Sequence, residues 1–184
     1  RTGAHAPVRD PAQASAMIAG IVSRFGRLDI LVNNAAYVPP SLPLTELPVD
    51  ELDACYRANL RAPLVWSQIA YATALKRRGG SIVNVASLGG LTLQPGMGAY
   101  GASKAALIHM TRYLAAECGP TVRVNAVAPG LIRTEQSRRA WEGKEERIAD
   151  SMPAGRIGAP YDVAAAVAFL ADPLTAGWIT GETL

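Results

Sequence analysis

The stretch SIVNVAS, residues 81–87, is apolar between its terminal serines except for Asn84. Two other stretches have a similar character, LDILVNNA at residues 28–35 and VRVNAVAPG at residues 122–130. A strand that is apolar along most of its length is typical of a parallel sheet with helices on both faces. These stretches therefore predict three parallel strands, each followed by small or polar residues.

Segments with helical character separate these strands. One begins at Asp10-Pro11 and ends at Gly26, and a second covers residues 49–78 with an interruption at Pro63. Further helices are expected from about Tyr100 to Cys118 and from about Tyr161 to Leu170, and WITGETL (178–184) has the pattern of a beginning fourth strand. The alternation predicts an α/β fold, a Rossmann-like doubly wound parallel sheet in three α/β/α layers. We expect one domain over residues 1–184, with residues 135–158 as a substrate lid within it.

The composition narrows the class of protein. The chain has 184 residues, 49% of them hydrophobic, which suits one domain with a substantial core. Its net charge of +3 comes from basic residues that are scattered except for short groups, which argues against a nucleic-acid partner. Cys55 and Cys118 have neither metal-ligand nor disulfide spacing, which favours a reducing cytoplasmic setting and predicts no metal site. The sequence contains no apolar run of membrane-spanning length.

Tyr100 and Lys104 are one helical turn apart, so their side chains lie on the same face of the helix and can contact the same bound molecule. A nearby ammonium stabilises a phenolate, so Lys104 is expected to lower the pKa of Tyr100 toward neutral pH. Such a phenol could exchange a proton with a substrate. The spacing alone also allows a surface tyrosine beside a solvated lysine, because Tyr-x-x-x-Lys is short and common.

Five motifs occur in a fixed order: NNAA at residues 33–36, YRANL at 56–60, SIVNVAS at 81–87, YGASK at 100–104 and APGLIRT at 128–134. In this order the chain resembles the short-chain dehydrogenase/reductase family in its classical form. GRIGAP, residues 155–160, adds a likeness to 3-oxoacyl-carrier-protein reductases and to sugar or polyol dehydrogenases. The resemblance covers nearly the whole chain.

The resemblance implies an oxidoreductase that transfers hydride between NAD or NADP and a secondary alcohol or ketone. Tyr100 would exchange a proton with the substrate oxygen. Lys104 would lower the pKa of Tyr100 and hydrogen-bond the nicotinamide ribose. Ser87 would hydrogen-bond that oxygen, and Asn59 would hold a water that connects Lys104 to solvent. Besides Tyr100 and Lys104, the implied cofactor contacts are Asn33, Ala35, Pro129, Gly130, Ile132 and Thr134.

Several alternatives stay open. Asn33 could serve only to bond neighbouring strand ends, Asn59 could face solvent, and Ser87 could cap a turn. The chain could be a non-catalytic scaffold on this fold, or an epimerase or dehydratase. The presence of Asn59, Ser87, Tyr100 and Lys104 together favours the oxidoreductase.

The resemblance also suggests a dimer of dimers, because the helices that contain Asn59 and Tyr100 have more apolar residues than one sheet contact requires. These residues are Leu64, Val65, Ile69, Leu107, Ile108, Met110 and Leu114.

The chain departs from the family pattern in three places. No Gly-x-Gly-x-x-Gly turn precedes Asn33, so the fold is expected to be incomplete at the N-terminus and the 184-residue chain alone to bind cofactor poorly and to be inactive. Ala36 takes the place of a glycine, where a positive φ would be strained. Pro7 takes the place of an aspartate that would contact adenine. The choice between NAD and NADP, the substrate and the preferred direction are left open by the sequence.

Overall fold

A computed structural model of the protein describes residues 10–184, so the expectation about Pro7 lies outside the described residues. Three parallel strands form one sheet in the order β1 (Ile30–Asn33), β2 (Gly80–Val85) and β3 (Val122–Val127). Asn33 is paired with Asn84, so the carboxyl ends of β1 and β2 lie side by side. The predicted parallel Rossmann-like sheet is confirmed.

The helices follow the predicted alternation with the strands. They are α1 (Pro11–Phe25), α2 (Val49–Tyr56), α3 (Ala62–Ala70), α4 (Lys76–Arg78), α5 (Gly98–Cys118), α6 (Arg138–Trp141), α7 (Glu145–Ser151), α8 (Pro160–Ala171) and α9 (Pro173–Ala176). The predicted ends of α1 are both present: the Asp10 side chain accepts from the amide of Ala12 at 2.9 Å, and Gly26 has a φ of 74°.

The predicted interruption at Pro63 is wrong. Residues 49–78 form one continuous right-handed helix in which the π turns Arg57–Arg61 and Tyr71–Leu75 join α2, α3 and α4. A proline inside a regular α-helix removes one hydrogen bond and crowds the preceding turn. Here the wider π turn immediately before α3 accommodates Pro63, so the chain keeps its direction.

Apolar clusters cover both faces of the sheet. On one face Ile82 and Val124 are buried against Ile18 of α1 and Leu114 of α5. On the other face the buried residues are Val83, Val127, Leu170 and Ala171, so α8 covers that side. Each fully buried Val or Ile side chain contributes about 1.5–3 kcal/mol to folding. The three-layer arrangement expected from the strand composition is present.

The last residues of the chain lie parallel to β3. The amide of Gly181 donates to the carbonyl of Val124 at 2.8 Å, and the amide of Leu184 donates to the carbonyl of Ala126 at 3.1 Å. Ala126 and Thr183 form an isolated parallel bridge. The predicted fourth strand therefore begins where expected, but as a single bridge rather than a regular strand.

The apolar residues expected to mediate assembly mostly serve the chain's own core. Leu107, Ile108 and Leu114 are buried, and Leu64, Ile69 and Met110 pack against the cluster around Ile82. Leu64, Val65, Ile69 and Met110 are only half-buried, so part of this apolar surface stays accessible.

Other apolar side chains are exposed. Ile30 and Val32 of the edge strand β1 are 46% and 42% exposed, and a second group lies on and after α8: Tyr161, Phe169, Leu174 and Trp178. None of the helices within residues 10–184 has the length and hydropathy of a membrane span.

Candidate active site

Ser87 lies two residues beyond the carboxyl end of β2 and begins a short turn, Leu88–Gly90. Its Oγ accepts from the amide of Gly89 at 3.1 Å, and it lies close enough to the Tyr100 hydroxyl to lower the pKa of that phenol. Both side chains are half-buried. The structure therefore brings the two predicted oxygen-binding groups together at one strand end.

Glycines allow α5 to approach this turn. A Cβ on Gly90 would lie 2.8 Å from the amide nitrogen of Ala105, and a Cβ on Gly101 would lie 2.7 Å from the carbonyl oxygen of Gly89. Neither distance is tolerable for a real side chain because both neighbours are backbone atoms. The glycines around Ser87 thus bring the first turn of α5 into contact with it, which places Tyr100 beside Ser87.

Lys104 is almost fully buried, with 2% of its surface exposed. Its Nζ donates to the carbonyl oxygen of Val85 at 2.7 Å and lies 5.7 Å from the centroid of the Tyr100 ring. Burial disfavours the charged form, which lowers the pKa of Lys104 to about 8. The alternative of a solvated surface lysine is therefore excluded.

The expected effect of Lys104 on Tyr100 is not observed in the structure. Burial raises the pKa of the Tyr100 phenol above its ordinary value, and the hydrogen bond from Ser87 acts in the opposite direction. Lys104 does not offset the burial because its ammonium is directed at Val85 and is itself poorly solvated. The phenol is consequently protonated at neutral pH, the form required of a proton donor.

The Asn59 side chain is buried and fully engaged with protein groups. Its Oδ1 accepts from the amide of Tyr37 at 2.8 Å, and its Nδ2 donates to the carbonyl of Tyr37 at 2.9 Å and to Ser103 Oγ at 3.0 Å. The alternative in which Asn59 faces solvent is wrong. In an α-helix the main-chain carbonyl of Asn59 would accept from the amide of residue 63, but that residue is proline and has no N–H.

The Asn33 side chain links the strands to the helices. Its Nδ2 donates to Asn84 Oδ1 at 2.8 Å and to Ser67 Oγ at 3.2 Å. Asn84 Nδ2 in turn donates to Thr111 Oγ1 of α5 at 2.9 Å. This buried chain of amides joins β1, β2, α3 and α5, which supports the structural alternative for the Asn33 amide.

The other predicted cofactor residues lie on loops that follow β1 and β3. Asn34 and Ala35 line a cavity of about 190 Å³ beside Ala62 and Trp66. The Pro129 carbonyl accepts from the amide of Leu88 at 2.9 Å, which ties the loop after β3 to the turn after Ser87. Gly130 is exposed next to it, with only Leu88 at 4.0 Å from a possible Cβ.

Ile132 and Thr134 lie farther along this loop. Ile132 forms a bridge with Gly158, and Thr134 Oγ1 lies 3.0 Å from Ser137 Oγ. Both are therefore at the base of the segment 135–158. The concern about Ala36 is resolved, since none of the described non-glycine residues has a positive φ.

Two contacts fix the segment 135–158 at its ends. Arg156 forms a bidentate pair with Asp162 of α8 at 2.7 Å, and this guanidinium holds the pKa of Asp162 well below its usual range. At the other end Gln136 Nε2 donates to the carbonyl of Ala36 at 3.3 Å. Arg156 of the GRIGAP motif therefore supplies the ion pair with Asp162 that holds the carboxyl end of the segment; this ion pair is called the clasp below.

Sequence reasoning missed Ser103 and Cys55 as parts of the site. Ser103 Oγ donates to the carbonyl of Tyr100 at 2.7 Å and accepts from Cys55 Sγ at 3.4 Å. Both side chains are buried beside Asn59. The signal was present in YGASK, because a serine one residue before Lys104 on a helix can bond back to the preceding turn.

Comparisons with known proteins agree with this geometry. Residues 2–184 match the family model described as enoyl-(acyl carrier protein) reductase. The chain is 37% identical to 3-oxoacyl-[acyl-carrier-protein] reductase FabG of Thermotoga maritima over 178 residues, which is 96% of this chain and 72% of that protein. It is also 37% identical to human dehydrogenase/reductase SDR family member 4, covering 91% of this chain and 61% of that protein.

Solved structures are similar over the same extent. A structure of ElxO with NADP bound has a TM-score of 0.91 and 33% identity, covering 100% of this chain and 75% of that one. Thermoplasma acidophilum aldohexose dehydrogenase in ligand-free form has a TM-score of 0.92 and 32% identity, covering 98% of this chain and 74% of that one. The motifs, the fold and the relatives agree, and the chain belongs to the short-chain dehydrogenase/reductase family of NAD(P)-dependent oxidoreductases.

Proposed function

We propose that the protein reduces a ketone to a secondary alcohol, or catalyses the reverse oxidation, with Tyr100 as the proton donor or acceptor. The observation that carries this proposal is the position of Ser87 beside Tyr100 at the carboxyl end of β2, together with the buried Lys104. Open parallel sheets bind ligands beyond the carboxyl ends of their strands. Burial of the Lys104 ammonium costs solvation free energy, and this burial gives a non-catalytic scaffold no benefit.

The described residues fit the nicotinamide half of the cofactor. Lys104 and Tyr100 offer an ammonium and a phenol beside the strand ends, and the loop after β3 offers exposed backbone at Gly130. No Gly-x-Gly-x-x-Gly turn for the pyrophosphate precedes Asn33 in the sequence. When bound, NAD(P)H supplies a hydride with its electron pair, so reduction of one ketone consumes one further proton.

Each side chain of the site would have its own role in the reaction. Ser87 and Tyr100 donate hydrogen bonds to the substrate oxygen and so stabilise the negative charge that develops there. Tyr100 then transfers its hydroxyl proton to that oxygen, and the alcohol leaves. Lys104 would bind the ribose. Asn59 would hold the relay water through its main-chain carbonyl, because its amide is engaged with Tyr37 and Ser103.

We propose that the segment 135–158 covers the substrate. The clasp between Arg156 and Asp162 holds one end, while the bond from Gln136 to Ala36 at 3.3 Å is exposed and long. Trp141 donates to Ser137 Oγ at 3.1 Å, and the Arg133 guanidinium lies 6.0 Å from its ring. A segment that is held near its two ends can move between them for substrate entry.

We also propose a homotetramer in the cytoplasm. The exposed apolar group on and after α8 supports assembly, since Trp178 is 100% exposed and Leu174 is 93% exposed. Large exposed apolar side chains that cluster on a surface mark interfaces in soluble proteins. The two buried cysteines, which are unpaired, suit a reducing compartment.

The test is oxidation of NADH and NADPH by the full-length protein with a panel of ketones, compared with Tyr100→Phe. We expect turnover with at least one cofactor and a loss of about a hundredfold or more in kcat for the variant, which lacks the proton but keeps the ring. Cofactor binding and the unfolding temperature should change little. Near-normal turnover by Tyr100→Phe would contradict the proposed role.

A further inference from the structure

The turn between Ser87 and α5 places a second polar group toward the substrate site. A Cβ on Gly89 would lie 3.6 Å from Ser87 Oγ, 3.8 Å from Gln94 Oε1 and 3.9 Å from Tyr100 Cδ1. All three groups therefore surround one point, which glycine leaves open. The Gln94 amide borders the same space as the two groups that bind the reacting oxygen.

Gln94 is available to a ligand. Its side chain is exposed and makes no hydrogen bond to any residue within 10–184. Its backbone is held, because the Gln94 carbonyl accepts from the amide of Met97 at 3.1 Å. The other polar side chain on this turn, Thr92, already donates to the carbonyl of Leu88 at 3.1 Å.

The surroundings of Gln94 are apolar. Leu88, Leu91 and Leu93 are 46%, 58% and 101% exposed on the same turn. A single free amide among leucines recognises one polar atom of a substrate that is otherwise apolar or small. A primary amide both donates and accepts, so it can pair with a hydroxyl or with a carbonyl.

We propose that Gln94 is a specificity-determining residue that hydrogen-bonds a second substrate oxygen, on a carbon close to the one that reacts. This inference rests on the proposed function and names the substrate class: α-hydroxy ketones or β-keto esters and the corresponding alcohols, rather than simple ketones. The second oxygen would lie at Gln94 while the reacting oxygen lies between Ser87 and Tyr100.

The test compares two matched substrate pairs. Hydroxyacetone and butanone differ by a hydroxyl in place of a methyl group, and methyl acetoacetate is paired with methyl isobutyl ketone. For the wild-type protein we expect kcat/KM to favour the oxygenated member of at least one pair by about tenfold, the worth of one good hydrogen bond. Gln94→Leu should abolish that preference and leave the simple ketone unaffected.

Two further variants sharpen the result. Gln94→Glu accepts but does not donate, so it should keep a preference for hydroxyacetone and lose one for methyl acetoacetate. Gln68→Leu makes the same chemical change at an exposed position of α3 and should leave both ratios unchanged. An unchanged ratio in Gln94→Leu, or no wild-type preference in either pair, would overturn the role of Gln94. Absence of turnover with every ketone would instead contradict the proposed function itself.

Discussion

Tyr100 shows what sequence reasoning can and cannot supply at the scale of a residue. The sequence predicted that the serine at the end of SIVNVAS and the tyrosine of YGASK come together. In the structure Ser87 lies beside Tyr100. The spacing does not report burial, so it predicted the wrong direction for the pKa of Tyr100. The partner of Lys104, the carbonyl of Val85, comes from the main chain of another element and has no signature in the sequence.

The pKa of Tyr100 predicts the pH dependence of the reaction. Alcohol oxidation requires the phenolate, and burial raises the pKa, so kcat/KM for oxidation should rise with pH through the neutral and alkaline range. Ketone reduction requires the protonated phenol and should fall only at high pH. Stopped-flow rates over a pH series check both profiles.

Ser87→Ala removes the hydrogen bond that lowers the pKa of Tyr100. The alkaline rise in the oxidation rate should therefore move to higher pH, and kcat should fall by about tenfold to a thousandfold. Thr92→Val, on the same turn but directed at Leu88, is the control and should leave the profile in place. An unshifted profile in Ser87→Ala would show that the two hydroxyls are not coupled.

At the scale of the element, the helices were predictable by type but not by internal geometry. The ends of α1 follow from the Asp10 cap and Gly26, which act through local chemistry. The π turns Arg57–Arg61 and Tyr71–Leu75 have no signature in the sequence, so the isolated pattern around Pro63 suggested a break instead. Asn59 lies in the first π turn, which explains why its side chain reaches Tyr37 and Ser103 rather than solvent.

The amide chain from Asn33 to Thr111 should stabilise the junction of the sheet with α5. Thr111→Val keeps the shape but leaves the buried Nδ2 of Asn84 without its acceptor, at a cost of about 1–3 kcal/mol in the free energy of unfolding. Thr121→Val, at an exposed site, should cost less than about 0.5 kcal/mol. Urea denaturation measures both, and equal midpoints for the two variants would rule out a stabilising role for the chain.

At the scale of the whole molecule, the parallel sheet and its two covered faces followed from the composition of three strands, because burial on both faces excludes polar alternation. The assembly surface stays a prediction. Apolar residues counted on α3 and α5 suggested an excess, but the chain's own core uses most of them. A sequence lists apolar residues without saying which neighbours cover them, and only packing separates the core from the free surface.

Assembly should depend on the surface formed by α8 and α9. We expect a tetramer at micromolar concentration by sedimentation velocity, and dissociation to smaller species when Leu174 and Trp178 are both changed to serine. Each substitution should weaken association by about 1–3 kcal/mol, as at the centre of an interface. Leu93→Ser is the matched control, since Leu93 is equally exposed on the turn before α5 rather than on or after α8. A tetramer that survives the double substitution would place the interface elsewhere.

The claim that Tyr100, as the proton donor, and Lys104, as the ribose ligand, act together in one reaction is tested most directly by a double-mutant cycle in the full-length protein. The measured quantity is kcat/KM for one ketone in the wild type, Tyr100→Phe, Lys104→Met and the double variant, with cofactor affinity determined separately for each. Residues that act as a unit are strongly non-additive, so we predict that the double variant is about as slow as the slower single variant. Losses that multiply in the double variant would show that the two side chains act independently, and would contradict the mechanism.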